Sequence, residues 1–144
     1  MRFRVSEQKS ASALLEDLRS ELTELNEADP QSCETTLLIH PWVLTDFIEY
    51  NDFLEVCEAM IVELGLEGEL QVASFHPHYQ FAGTQAEDIE NYTNRSPYPM
   101  LHLLREASIE RAIAAVPDTD AIYQRNIRTL RDLGHAGWQR LWRD

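Results

Sequence analysis

A chain of 144 residues with a net charge of −13 and 44% apolar residues is long enough to bury a core in one domain without metals or disulfides. Such an acid excess argues against nucleic acid, which is bound by neutralising phosphates with Lys and Arg. The first dozen residues hold no apolar run and no later run approaches spanning length, so neither a secretory signal nor a membrane partner is expected.

In chain order, residues 1–5 alternate arginine and apolar side chains and suggest a short strand. Leu14, Leu15, Leu18, Leu22 and Leu25 then recur at helical spacing, predicting an amphipathic helix over 10–25 with acids on its outer face. A loop around Pro30 leads to a β-branched, apolar strand at 35–39, which His40-Pro41 ends, because proline and the residue before it resist continuing into helix. The apolar stripe of the next helix runs from Val43 through Phe47, Tyr50, Leu54, Cys57 and Ile61 to Leu64, with Gly65 placed to cap it. Cys57 lies in that stripe and reads as a core residue. Cys33 precedes its strand, at the edge of the sheet away from His40. With no close-spaced metal motif, both cysteines read as reduced thiols in the cytoplasm.

A second strand, 70–75, ends at His76-Pro77 as the first ends at His40-Pro41. Strand, helix and strand within about forty residues predict parallel strands with a right-handed crossover. His40 and His76 would then emerge at one edge of the sheet, where open α/β sheets bind ligands. Residues 79–82 suggest a further short strand, and 83–96 a loop with acids at 87, 88 and 90. Pro97 and Pro99 suit a helix start, and Met100, Leu101, Leu104, Ile109, Ala112, Ile113 and Val116 continue a helix that stops before Pro117. Asp118 or Thr119 can cap a fourth helix to about Leu133, after which Gly134 and Gly137 interrupt a tail whose Trp138, Leu141 and Trp142 need a surface to dock on.

The expectation is a single helix-rich α+β domain. Four main helices surround a short sheet with a central parallel βαβ unit. Residues 1–34 form an N-terminal helical segment, 35–116 a βαβ-α core, and 117–144 the C-terminal helices.

The basic residues are unevenly placed. None lies between Arg19 and Arg95, an interval holding sixteen Asp and Glu, whereas 91–144 carries eight of the twelve, all arginine. A predicted helix N-terminus near Pro97, whose free amides favour negative charge, stands beside Arg95 and Tyr98. His102 and Arg105, three residues apart, would share a face of that helix. His40, His76, Arg95, Tyr98, His102 and Arg105 are therefore the candidate ligand-binding set, for a small phosphorylated or carboxylated molecule. The plainer alternative is that the arginines pair with local acids and each His-Pro pair hydrogen-bonds nearby backbone. His40, His76 and His78, with a carboxylate, are also candidate metal ligands, as in a metal-dependent hydrolase, although a single proline between His76 and His78 is no established ligand spacing. A different class of function, a non-catalytic interaction or scaffold protein whose tail docks on a partner or in a homodimer, fits the same sequence. No catalytic residue stands out.

The strings Leu38-Ile39-His40-Pro41-Trp42, Gln71-Val72-Ala73-Ser74-Phe75-His76-Pro77 and Asn91-Tyr92-Thr93-Asn94-Arg95-Ser96-Pro97-Tyr98-Pro99-Met100 resemble those of the bacterial family known as domain of unknown function 1415. The resemblance runs from about Thr35 to Trp138. It implies a cytoplasmic bacterial protein and supplies no catalytic residues.

Overall fold

The structure is a computed structural model and describes residues 1–115 and 119–141, the side chains of 119 and 120 aside. Strands β1 (Arg2–Val5), β2 (Thr36–Ile39), β3 (Leu70–Phe75) and β4 (Met100–Arg105) form one mixed sheet in the order β1-β2-β4-β3. Helices α1 (Ala11–Glu27) and α2 (Phe47–Glu63) build the core with it. Among the described residues no helix is long and apolar enough to cross a membrane.

Each element follows from its residues. Ser10 caps α1 by accepting the Ala13 amide, and Leu14, Leu18, Leu22 and Leu25 lie fully inside. Glu21 is buried in the same stripe because Arg4, at 2.8 Å, and Arg2, at 3.4 Å, reach it from β1. That pairing fixes which way β1 faces: Arg2 and Arg4 point towards α1, and Phe3 and Val5 point away. Asp46 caps α2 through the Glu49 amide, later than the apolar stripe suggests. Val43 and Leu44 still reach the core, but from a turn in which Leu44 adopts a φ of 59°. Gly65 ends α2 at a φ of 71°, the left-handed position that glycine takes without steric cost. Cys57 is buried among the core side chains, and burial pushes its thiol up to about 12.

The β-α-β expectation needs one correction. β2 and β3 do run the same way, since each is antiparallel to β4, but β4 lies between them. The hydrogen-bonded parallel pair is β1 and β2, with α1 as its crossover.

β4 corrects a second expectation: the single helix from Pro97 onwards. Leu101 and Leu103 are buried while Met100, His102 and Leu104 face the other side, an alternation of period two. Met100, Leu101 and Leu104 fit helical spacing equally well, so this short apolar run is ambiguous by periodicity. The sheet decides it, because β4 receives ladder bonds from both β2 and β3. The helix α3 (Glu106–Ala114) begins only after Arg105; Val116 and the proposed cap Asp118 lie outside the described residues. Residues 79–82, expected as a strand, are loop, and the following loop contains a 3-10 turn, Ile89–Asn94.

The last helix, α4 (Thr119–Arg140), breaks at Gly134, where φ is 70°. The break lets the tail return to the 3-10 turn. His135 and Trp138 both meet the Tyr92 ring edge-on at 5.0 Å, and His135 Nε2 donates to the Glu87 carbonyl. Trp138 thus docks on the domain, as its apolar area demands, whereas Leu141, expected to dock with it, is 62% exposed; Trp142 lies outside the described residues.

Candidate functional site

Both His-Pro motifs sit at the same end of the sheet, and both imidazoles turn inward. His40 Nδ1 donates to the Val43 carbonyl at 3.0 Å, and His76 Nε2 donates to the Leu44 carbonyl at 2.9 Å. His76 Nδ1 accepts the His78 amide at 3.0 Å, so both of its nitrogens are committed and its neutral tautomer is fixed. Two histidines from distant strands therefore hold consecutive carbonyls of one turn, the turn in which Leu44 has its unusual φ. A non-glycine residue in that region persists only where its surroundings over-determine it.

Tyr50 stands between the two rings, 5.9 Å from His40 in a stacked arrangement and 4.8 Å from His76. Its hydroxyl donates to the Met100 carbonyl and accepts the Phe75 amide, closing the end of the sheet across β4 and β3. Burial raises the Tyr50 pKa. Burial also lowers His40 to about 4 and pulls His76 below its ordinary value, the second opposed by the bond to Leu44. Both imidazoles are neutral at pH 7.

Outside this turn, two adjoining hollows of 580 and 410 Å³ open between the start of α2 and the loop after β3, sharing Phe47, Ile48 and Gln80. Thr45, Asp46, His78 and Arg95 line the more polar one. Arg95 lies over the Tyr92 ring at 4.2 Å and donates to the Tyr79 and Ala86 carbonyls through Nε and Nη2. Buried Asn91 ties together the loop that carries Phe81. Its side chain accepts the Phe81 amide and the Thr84 hydroxyl and donates to the Gln85 carbonyl. Phe47 forms the floor, 5.5 Å from the His76 ring and 5.1 Å from the Tyr79 ring.

The six expected ligand-binding residues do not converge on one site. Arg95 lines the cleft, His76 lies beneath it against Phe47, and His40 is buried behind Tyr50. Tyr98 is exposed. On a strand, His102 and Arg105 lie on opposite faces instead of sharing one. His102 packs near Phe75 on the outer face, with Nε2 buried and without a hydrogen-bond partner, and burial lowers its pKa.

Arg105 sits at the far end of β4, where one Nη2 donates to the carbonyls of Leu25, Ala28 and Cys33. A cation at those carbonyls complements the negative end of α1. Arg105→Gln should lower the stability of the ligand-free protein by about 1–3 kcal/mol, as acceptors lose their donor. Urea denaturation measures this, and an unchanged midpoint would return Arg105 to the ligand-binding candidates. The hollow beside Arg105, 620 Å³, mixes Glu69 and Glu110 with Arg111 and presents no single charge.

His76 has no lone pair left for a metal, and His40 could ligate only through a nitrogen with no exposed surface. Among the described residues no group of three or more His, Cys, Asp and Glu is arranged to hold one. Sequence reasoning missed Thr45, Asp46 and Gln80. The signal was available for Asp46, an N-cap before an apolar stripe, but the stripe's early start at Val43 hid it.

The chain matches, over residues 1–140, a family model described as a protein of unknown function (DUF1415). No curated protein and no solved structure matches it.

Proposed function

We propose, for a chain that belongs to the DUF1415 family, that it binds a small carboxylated or phosphorylated molecule in the cleft between the start of α2 and the loop after β3. The observation that carries this reading is the meeting of Arg95 and His78, two residues able to donate to an anion, in one polar hollow. Arg95 commits Nε and Nη2 to loop carbonyls, which leaves Nη1 for a ligand and fixes the guanidinium plane. Asp46 on the same wall favours a ligand that also carries an amino or hydroxyl group. The turn held by His40 and His76 supplies rigidity, since a preorganised wall lowers the ordering cost of binding. The cellular setting that fits is the cytoplasm, where Cys33 and Cys57, both free, remain thiols.

The test is a calorimetric titration with inorganic phosphate, succinate and a small amino acid, on the wild type and on His78→Gln and Arg95→Gln. A hydrogen bond to a charged group contributes about 1.5–3 kcal/mol, so each substitution should weaken binding at least tenfold. Failure of all three probes to bind, or binding that both variants retain, would sink the reading.

A second reading, a non-catalytic interaction protein, rests on Trp42. It is 63% exposed on the rigid turn, where a large aromatic side chain suits a partner's pocket.

A further inference from the structure

The cleft has a second half that a small anion leaves unused. Phe47, Tyr79 and Phe81 line its hollow of 410 Å³, together with Asn51 from α2. The three rings form a series: Tyr79 lies 5.1 Å from Phe47 and 4.9 Å from Phe81, inclined at 60° and 68°. Each is half-buried, so part of its apolar surface stays open. Aromatic rings favour such edge-to-face neighbours, and a further ring in the hollow extends the series.

The adjoining hollow of 580 Å³ mixes charges of both signs. Arg95 and His78 suit an anion, yet Asp46 lines the same space. Asp46 Oδ2 accepts the Glu49 amide as the cap of α2, which leaves Oδ1 for a ligand. Gln80 borders both hollows. Its Nε2 donates to the Thr84 carbonyl at 2.6 Å, which holds the side chain and leaves Oε1 as an acceptor.

We propose that the ligand of this cleft is a free α-amino acid with an aromatic side chain, an inference that rests on the anion-binding reading and narrows it. Arg95 and His78 hold the α-carboxylate, and Asp46 and Gln80 the α-ammonium. The ring enters the hollow of Phe47, Tyr79 and Phe81.

The charges select this ligand over its neighbours in chemistry. A free amino acid carries both charges on one carbon, which matches a single polar hollow holding partners for each. A peptide terminus brings only one of the two. A nucleotide supplies a ring, but its phosphate sets negative charge beside Asp46 with no cation to offset it, and like charges so placed oppose binding.

Calorimetric titration of the full chain tests this. L-phenylalanine should bind at least about tenfold more tightly than L-alanine, because the hollow removes a phenyl group from water. Losing the ammonium, in 3-phenylpropanoate, or the carboxylate, in L-phenylalaninamide, should each weaken binding about tenfold. Phe81→Ala empties the hollow, and Asn51→Trp, at an exposed helical position, fills it. Both should bring L-phenylalanine and L-alanine near parity. Asp46→Asn keeps the cap, since asparagine caps a helix as well as aspartate, and should abolish the advantage of L-phenylalanine over 3-phenylpropanoate. Equal affinity of the wild type for L-phenylalanine and L-alanine overturns the inference, as does a preference that survives both hollow substitutions. Tighter binding of 3-phenylpropanoate, L-phenylalaninamide or adenosine monophosphate than of L-phenylalanine overturns it too. If phosphate or succinate binds and L-phenylalanine does not, this inference fails and the anion-binding reading stands; if no probe binds, both fail.

Discussion

Between pH 6.5 and 4 the protein should lose about 3 kcal/mol of stability through His40 alone. Its folded pKa is about 4, chiefly because burial disfavours the imidazolium, with the neighbouring His76 lowering it slightly further and the bond to Val43 opposing. In the unfolded chain the same imidazole titrates near 6.5. Above 6.5 both states hold it neutral, and its contribution is fully present. As pH falls, the unfolded state takes up the proton first, so stability drops by about 1.4 kcal/mol per unit until the folded pKa is reached. His76 and His102 act in the same direction, their pKa values also being lowered by burial. Most of this loss occurs above the range in which ordinary carboxylates titrate, which makes it separable from general acid unfolding. Urea denaturation at pH 7 and pH 5 reads it out. His40→Asn keeps an amide able to donate to Val43 but removes the titrating group, and it should flatten the pH slope by about 2 kcal/mol over those two units. An identical slope in the variant would show that His40 is not held neutral by its site.

The same histidines show how far the sequence could be read. α1, α2, β2 and β3 were legible because each carries one clean period, such as the leucines of α1 or the β-branched run before His40. That both His-Pro motifs end strands at one edge followed from the crossover rule, and the shared contact with Tyr50 agrees with it.

What the rule could not supply was β4. It lies between β2 and β3, yet comes from residues that follow them and that satisfy helical and strand spacing alike. That one ambiguity reassigned His102 and Arg105. On a helix they would meet one ligand; on a strand, one faces the outer sheet surface and the other reaches the end of α1.

The bonds from His40 to Val43 and from His76 to Leu44 match the plainer expectation that each His-Pro pair satisfies nearby backbone. For His76 that backbone is 32 residues away in sequence, and no local pattern signals it. Asn91 was visible only as part of a polar loop, although it ties that loop together. The cleft was therefore half legible: Arg95 and His78 stood out as cationic or polar residues in an acidic chain, and the wall opposite them did not.

Tyr50→Phe should cost about 3 kcal/mol although it removes one oxygen and leaves no cavity large enough to refill. The hydroxyl serves two backbone groups at once, accepting the Phe75 amide at 2.9 Å and donating to the Met100 carbonyl at 2.7 Å. Phe75 and Met100 are register partners at the end of the β3–β4 ladder, so the hydroxyl continues the ladder beyond its last pair. Its removal leaves a part-buried donor and a part-buried acceptor without their partner, at roughly 1–3 kcal/mol each. Loss of aromatic packing is excluded as a cause, because phenylalanine keeps the ring between His40 and His76. Chemical unfolding at pH 7 measures the difference. Hydrogen exchange locates it, with faster exchange at the amides of the Phe75–Met100 end of the β3–β4 ladder, Phe75 above all, and little change in α1. The effect should also reach the cleft. With the sheet end loosened, His76 and the turn it holds at Leu44 lose their backing, so the anion binding proposed for the cleft should weaken while Arg95 and His78 remain in place. A variant as stable as the wild type, with Phe75 equally protected, would mean that water replaces the hydroxyl and that the turn is held by the histidines alone.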